Sequence, residues 1–370
     1  LAQATDAAEM VFVDVDFLPA LIDIEASMAS ESLIYDAAGS NAVFDTTVLG
    51  MPENTDTDEY FKDCEVVVTG RFLNQRVAPC PLEVRGSAAT WVDGRLHQWL
   101  STQHAQGVKA PIAAANGVEA DKVRVITPDV GGAFGAKIGT YAEEMLLGPI
   151  SKALGRPVRW RETRSESMMN MGHGRAQLQY VTIGGTRDGR VTHYQLHLFQ
   201  DAGGFMDVGG VLGFAMTRPM VQAVYDIANV ECRATTVLTN TTPTVPYRGA
   251  GRPEATAAAE RAMDLFAAEI GKDPAEVRRM NLIPKFLESH ATAIGHTYDV
   301  GDYEGALDKA LEAAGYADLR AEQARRREAG DEKLLGIGVS VYVEVTGGVD
   351  PMGEAAKIEV QDDGSALVYT

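Results

Sequence analysis

Pro246-Tyr247-Arg248-Gly249-Ala250-Gly251-Arg252 sets a glycine-punctuated turn between two guanidinium groups, just before an alanine-rich stretch that opens at Pro253. Glycine has no Cβ, so such a backbone can bring its N–H groups close to an anionic or oxo-rich ligand. A second loop of this kind lies far upstream. Gly131-Gly132-Ala133-Phe134-Gly135-Ala136-Lys137 follows the strand-like Val123-Arg124-Val125-Ile126 and precedes a helical stretch from Tyr141 to Leu154. Strand-to-helix loops are places where backbone amides hold an oxyanion or polar ligand. This one is not a Walker A loop, because Ile138 stands after Lys137 where Ser or Thr is required. A third feature is the polar strand end Ser101-Thr102-Gln103, delivered by a hairpin over Trp91–Leu96 with Asp93-Gly94 at its turn. The Gln103 amide can donate to an oxo group without adding charge.

Working outward, Val11–Val15 reads as a short strand, and a helical stretch includes Ile24-Glu25-Ala26. Residues 36–58, rich in Gly, Asn, Asp and Thr, read as a linker or wrapping loop. Strands are expected at Val66–Val68 with Arg71–Leu73, and at Val158–Trp160. A long hairpin is expected over Ala176–Ile183 and Val191–Phe199, turning at Arg187-Asp188-Gly189. Helices are expected over Glu254–Ile270, after Asp273, and over 303–314 and 317–328. Ile337, Val339, Val341 and Val343 alternate at period two and predict a strand. The chain opens at Leu1 without a Met and stops at Ala366–Thr370 inside an apparent strand, so it reads as an internal fragment of a longer protein.

The 370 residues suffice for two or three domains, and a net charge of −19 argues against a nucleic-acid-binding surface. Cys64, Cys80 and Cys232 form no C-x-x-C pair, so an iron–sulfur cluster or structural zinc held by this chain alone is not expected. Their odd number favours a reducing compartment. There is no run of apolar residues long enough for a transmembrane helix and no signal-peptide pattern, so a cytoplasmic location is expected.

Together the two glycine loops and Ser101-Thr102-Gln103 resemble the molybdenum-binding large subunit of the xanthine dehydrogenase, aldehyde oxidase and aerobic carbon monoxide dehydrogenase family. The resemblance spans nearly the whole chain and is strongest from about 65 to 285. It implies an α+β fold of mixed sheets with packed helices, the family's molybdenum-cofactor-binding domain. Residues 1–35 would be the tail of a hammerhead-like domain, 36–59 a linker, 60–325 the first cofactor domain, and 330–370 the truncated start of the second. It implies a molybdenum–molybdopterin cofactor in its cytosine dinucleotide form, held by Gln103, Gly132, Ala133, Phe134, Gly135 and Arg248. Phe134, Ile138, Gly249 and Ala250 would shape the substrate pocket. No side chain of this chain would ligate the metal. The general-base glutamate would lie beyond Thr370, leaving no catalytic residue in the chain and making it inactive on its own. The implied reaction is hydroxylation with water as oxygen source. Electrons would leave through an iron–sulfur small subunit carrying [2Fe–2S] clusters and an FAD-binding medium subunit, in a dimer of heterotrimers.

Departures from the family pattern narrow the chemistry. Carbon monoxide dehydrogenases of this family place a copper-bridging cysteine where this chain has Gly249, so the pattern resembles the form II relatives. Ile138 replaces a purine-binding glutamate and Ala250 replaces a purine-stacking aromatic, which points to an aldehyde or N-heterocycle rather than xanthine. Two alternatives stay open: a carbon monoxide dehydrogenase large subunit, and a non-catalytic scaffold or assembly subunit of the same fold. A dinucleotide-binding reading of Gly249-Ala250-Gly251 is weak, because Glu254 occupies the position where that motif needs a small residue. His173 reads as a loop residue, having no second histidine at ligand spacing.

Overall fold

The computed structural model describes residues 2–345 and 356–369. Nine strands build two main sheets: β1 (Ala42–Asp45), β2 (Val66–Val77), β3 (Gly86–Val92), β4 (Arg95–Leu100), β5 (Val123–Ile126), β6 (Val158–Arg161), β7 (Gly174–Gly185), β8 (Val191–Gly203) and β9 (Asn229–Leu238). The larger sheet has the order β1-β9-β8-β7-β2. Its centre is the long hairpin, with Gln177 opposite Gln200 and Ile183 opposite Tyr194. Strand β9 runs parallel to β8, so the intervening chain crosses over the sheet. The Arg252–Glu269 helix lies on β2 and β7. It buries Ala255, Ala258, Ala259 and Ala262, whose small side chains let it settle close to the strands, while Phe266 fills the core beside Leu196 and Leu198.

The smaller sheet has the order β5-β4-β3-β6, with β4 and β5 parallel. Its hairpin turns at Asp93 and Gly94, both at positive φ (48° and 75°), as a type I′ turn requires. The Lys109–Ala115 and Ala142–Leu154 helices close over this sheet, and Leu96, Leu100, Ile112, Val123 and Leu147 form its core. The second helix runs through Pro149 and stops at Gly155 in the left-handed conformation. Both sheets are mixed, and the fold is α+β as expected. Among the described residues no helix is long and apolar enough to cross a membrane.

Three expectations need correction. Val11–Val15 is not a strand: the segment is irregular and exposed, with Phe12 86% accessible, and among the described residues no strand pairs with it. Residues 36–58 are not merely a linker. Within them β1 pairs antiparallel with β9, and Asp45 receives hydrogen bonds from Arg233 (2.9 Å) and Thr235 (2.5 Å). The alternating residues Ile337–Val343 form no strand among the described residues. Val339, Val341 and Val343 do turn to the main core, but the Val341 N–H donates to the buried Glu260 carboxylate at 3.1 Å. Period-two alternation fixed the buried face there, while a side chain took the place of a strand partner. Ala366–Tyr369 is a strand and pairs with Lys357–Val360.

Candidate functional site

Beyond β4 the chain turns against the first glycine loop. Thr102 Oγ1 and the Gln103 N–H both donate to the Lys137 carbonyl, at 2.9 and 3.1 Å. Gln103 Oε1 accepts from the Gly135 N–H at 3.0 Å and the Lys137 N–H at 3.4 Å. The loop is clamped from below by Glu83. Buried Lys137 donates from Nζ to the Glu83 carbonyl, the Glu83 carboxylate and Ser101 Oγ, each at 2.9 Å. The same carboxylate accepts from the Gly131 N–H at 2.9 Å, so both ends of the loop close on one residue. Burial alone would raise the Glu83 pKa, but hydrogen bonds from Ser101, Lys137 and Gly131 outweigh it and hold the carboxyl below its ordinary range. Above this anchor Phe134 sits at φ 54° with its ring 42% exposed. A bulky residue in left-handed backbone is strained, and such strain persists only where the surroundings hold it.

The second loop is locked onto the first. A Cβ on Gly135 (φ 102°) would stand 2.3 Å from the Pro246 carbonyl oxygen, so only glycine permits this approach. The Arg248 N–H then donates to the Phe134 carbonyl at 2.9 Å. Arg175 holds the far side. Its guanidinium donates to the carbonyls of Tyr247 and Arg248, both at 2.9 Å, and lies 4.7 Å over the Tyr247 ring. Buried Glu254 pairs with it at 3.4 Å. Burial raises the Glu254 pKa, against the opposing pull of Arg175.

Between the loops lies a cavity of about 330 Å³, lined by Gln103, Phe134, Gly135, Arg248, Gly249 and Ala250 among others. Gln103, with its oxygen engaged, is left with Nε2 as its available donor. The Arg248 guanidinium makes no ion pair or side-chain hydrogen bond among the described residues. A cleft of about 710 Å³ runs past Trp99 and Trp160, but the Glu83 and Ser101 groups beside it are already committed to the loop anchor.

Two stretches match the molybdopterin cofactor-binding domain, residues 34–282 and residues 309–370. The chain belongs to the molybdenum-binding large-subunit family of xanthine dehydrogenase, aldehyde oxidase and aerobic carbon monoxide dehydrogenase. It is 32% identical to the carbon monoxide dehydrogenase large chain of Hydrogenophaga pseudoflava, over 98% of this chain and 48% of that protein. It is 29% identical to the nicotine 6-hydroxylase large subunit of Paenarthrobacter nicotinovorans, over 99% of this chain and 46% of that protein. Among solved structures it superposes on quinoline 2-oxidoreductase from Pseudomonas putida 86 with a TM-score of 0.89 and 29% identity, covering 99% of this chain and 48% of that one. The chain thus spans about half the length of the relatives it matches.

For a molybdenum-binding large subunit, the residues in the cavity fit the cofactor. Gln103 Nε2 is a neutral donor, Arg248 is an unengaged cation, and the small residues Gly249 and Ala250 leave the backbone open to close approach. Not every expected residue lines the cavity. Gly132 packs between Pro81 and the Phe134 ring, where a Cβ would stand 3.2 Å from each, and supports the ring from behind. Ala133 and Ile138 are outside the lining, the latter following buried Lys137 out of the loop. His173 is bound through Nε2 to the Met168 carbonyl at 3.0 Å. Sequence reasoning missed Glu83 and Arg175. Nothing near Glu83 signals its role. Arg175 carries a faint signal, a cation directly after the glycine-flanked Gly172-His173-Gly174. A Cβ on Gly174 would stand 2.3 Å from the Tyr247 Cβ, which is how β7 comes close enough for Arg175 to grip the loop.

Proposed function

We propose that this chain is the cofactor-binding part of a molybdenum hydroxylase large subunit that oxidises an aldehyde or N-heterocycle. The reaction is R–H + H2O → R–OH + 2 H⁺ + 2 e⁻, with the electrons passing to iron–sulfur and FAD subunits. The observation that carries this reading is the pairing of Gln103 and Arg248 across two interlocked glycine loops. The bound cofactor supplies the two-electron redox centre. Gln103, its Oε1 fixed by two backbone N–H groups, directs Nε2 into the cavity as a preorganised donor. Arg248 offers its fork to an anionic edge of the cofactor. The exposed Phe134 ring and the small Ala250 shape the space left for substrate. Glu83 and Glu254, two acids near the loops, are committed to Lys137 and Arg175 and so are poor candidates for the general base.

Position 249 favours an organic substrate over carbon monoxide. Gly249 offers no thiolate, and Cys64, Cys80 and Cys232 are absent from the cavity lining. The names of the relatives, a nicotine hydroxylase and a quinoline oxidoreductase among them, support an N-heterocycle. The test is Gln103→Ala and Arg248→Ala in the full-length complex. Each variant is expected to lower molybdenum content or turnover by about tenfold or more. Unchanged metal content and rate in both variants would remove these residues from the site.

A further inference from the structure

Strand β7 carries near its start the residue that grips the second glycine loop, and its backbone is strained there. Arg175 and Ala176 stand at φ 65° and 61°. Left-handed backbone crowds a Cβ against the following carbonyl, so residues of these types seldom adopt it, and here two in a row do. The β7–β8 ladder ends where Gln177 stands opposite Gln200, so the strained pair lies just past it. The Gln200 side chain reaches across instead. Its Nε2 donates to the carbonyls of Arg175 at 3.0 Å, Asp201 at 3.1 Å and Ala176 at 3.4 Å. Its Oε1 accepts from Gln177 Nε2 at 2.9 Å, and Gln177 Oε1 accepts from Gln179 Nε2 at 3.0 Å. Gln179 Nε2 also donates to the Glu254 carbonyl at 3.0 Å. The Glu254 carboxylate pairs with the Arg175 guanidinium at 3.4 Å, which closes the circuit. All three glutamines are buried. An amide both donates and accepts, so such a chain crosses the core without burying a further charge. Of the three, Gln200 is the one bonded to the strained carbonyls.

We infer that Gln200 is a positioning residue of the site. It holds residues 175–176 in left-handed backbone, which fixes the Arg175 guanidinium against the Tyr247 and Arg248 carbonyls and so sets the second glycine loop. Gln200 is absent from the lining of the cavity between the loops and acts only through Arg175. Its consequence for the cofactor rests on the function proposed above, whereas its hold on the loop does not. Without the amide, residues 175 and 176 relax to negative φ, the guanidinium leaves the two carbonyls, and Arg248 loses its fixed place.

The experiment uses the full-length complex and reads amide hydrogen exchange of residues 246–252, which needs no turnover, beside molybdenum content and the thermal unfolding midpoint. Gln200→Met keeps the length of the side chain and removes the donor. It is expected to raise exchange in 246–252 by about tenfold, as the loss of a buried hydrogen bond can do, and to lower molybdenum content. Adding Ala176→Gly is the decisive step, because glycine adopts left-handed backbone without a Cβ penalty. The double variant is expected to recover at least half of the lost protection and metal, measured against Ala176→Gly alone. Gln222→Met is the control for losing a buried amide. That side chain bonds the Tyr225 carbonyl and the Ala293 N–H, at 2.8 and 2.7 Å, so its loss should lower the midpoint and leave exchange in 246–252 unchanged. Unchanged exchange in Gln200→Met, an equal rise in Gln222→Met, or no recovery with Ala176→Gly would overturn the inference. If Gln200→Met does not fold, the double variant must fold, and failure of both would also overturn it. A complex without molybdenum that shows the exchange pattern contradicts the function proposed above and leaves Gln200 in its role. A molybdenum-loaded complex whose 246–252 exchange ignores Gln200 contradicts the inference alone.

Discussion

Replacing Gly135 with alanine tests whether contact between the two glycine loops builds the site. The new Cβ would stand 2.3 Å from the Pro246 carbonyl oxygen and 2.7 Å from its carbon, roughly 1 Å short of a van der Waals contact. The residue would also be held at φ 102°, which disfavours any side chain. Strain of that kind costs about 1–3 kcal/mol, and overpacking against a backbone that cannot step aside costs about another 1–3 kcal/mol. The cheapest relief is to part the loops. That breaks the Arg248 N–H to Phe134 carbonyl bond and the Gly135 N–H to Gln103 bond, both near 3 Å. The damage therefore falls on the orientation of Gln103 and Arg248. Gly139→Ala is the matched control, because a Cβ there meets nothing within 4 Å. Molybdenum per large subunit and the thermal unfolding midpoint would be measured on both full-length variants. Gly135→Ala is expected to lose most of its metal and unfold several degrees lower, while Gly139→Ala stays near wild type. Gly135→Ala with wild-type metal content and midpoint would refute the reasoning.

Arg175→Met removes two hydrogen bonds to the second loop and leaves buried Glu254 without its cation, a loss of about 3–5 kcal/mol for a broken buried pair. Because burial already raises the Glu254 pKa, protonation relieves the unpaired charge, and thermal unfolding should show a smaller loss at pH 5.5 than at pH 8; a loss independent of pH would contradict the clamp. Glu144 is 2% exposed, and burial pushes its pKa up to about 7 from 4.5, against the pull of the Tyr141 N–H and Arg85. The folded-state value lies above the unfolded one, so this group's contribution is complete below about pH 4.5 and is lost as the pH rises through about 7. Glu144→Gln should flatten the stability profile across that window and stabilise the protein at pH 8 by on the order of 3 kcal/mol; a denaturation series with an unchanged pH profile would count against it.

The parts of the fold that were legible in the sequence are those decided locally. The Asp93-Gly94 hairpin and the 176–199 hairpin each follow from residues within a few positions of one another. The segments that misled depend on distant partners. Val11–Val15 has a strand's composition but no partner strand among the described residues, β1 is made by β9 across the sheet, and Val341 pairs with a glutamate side chain. The site divides in the same way. The glycines of both loops announce close backbone approach, and the structure brings Gln103 and Arg248, which the motifs single out, to the edge of one cavity. The residues that hold the loops were not. Glu83 reaches Gly131 and Lys137 across 48 and 54 positions, and Arg175 reaches Tyr247 across 72. An ion pair formed over such separations leaves no periodicity or spacing to read. Ile138 shows the converse: the motif placed it in the pocket, while the geometry of the loop leaves it outside the cavity.

The most direct test is the metal content of the full-length protein purified with its partner subunits and with molybdenum available during growth. Molybdenum, copper and iron would be quantified per large subunit. Near-stoichiometric molybdenum, iron confined to a partner subunit and no copper is the predicted result. A well-folded complex without molybdenum, or one with copper equal to its molybdenum, would contradict it: the first would favour a scaffold of the same fold, and the second would overturn the inference drawn from Gly249.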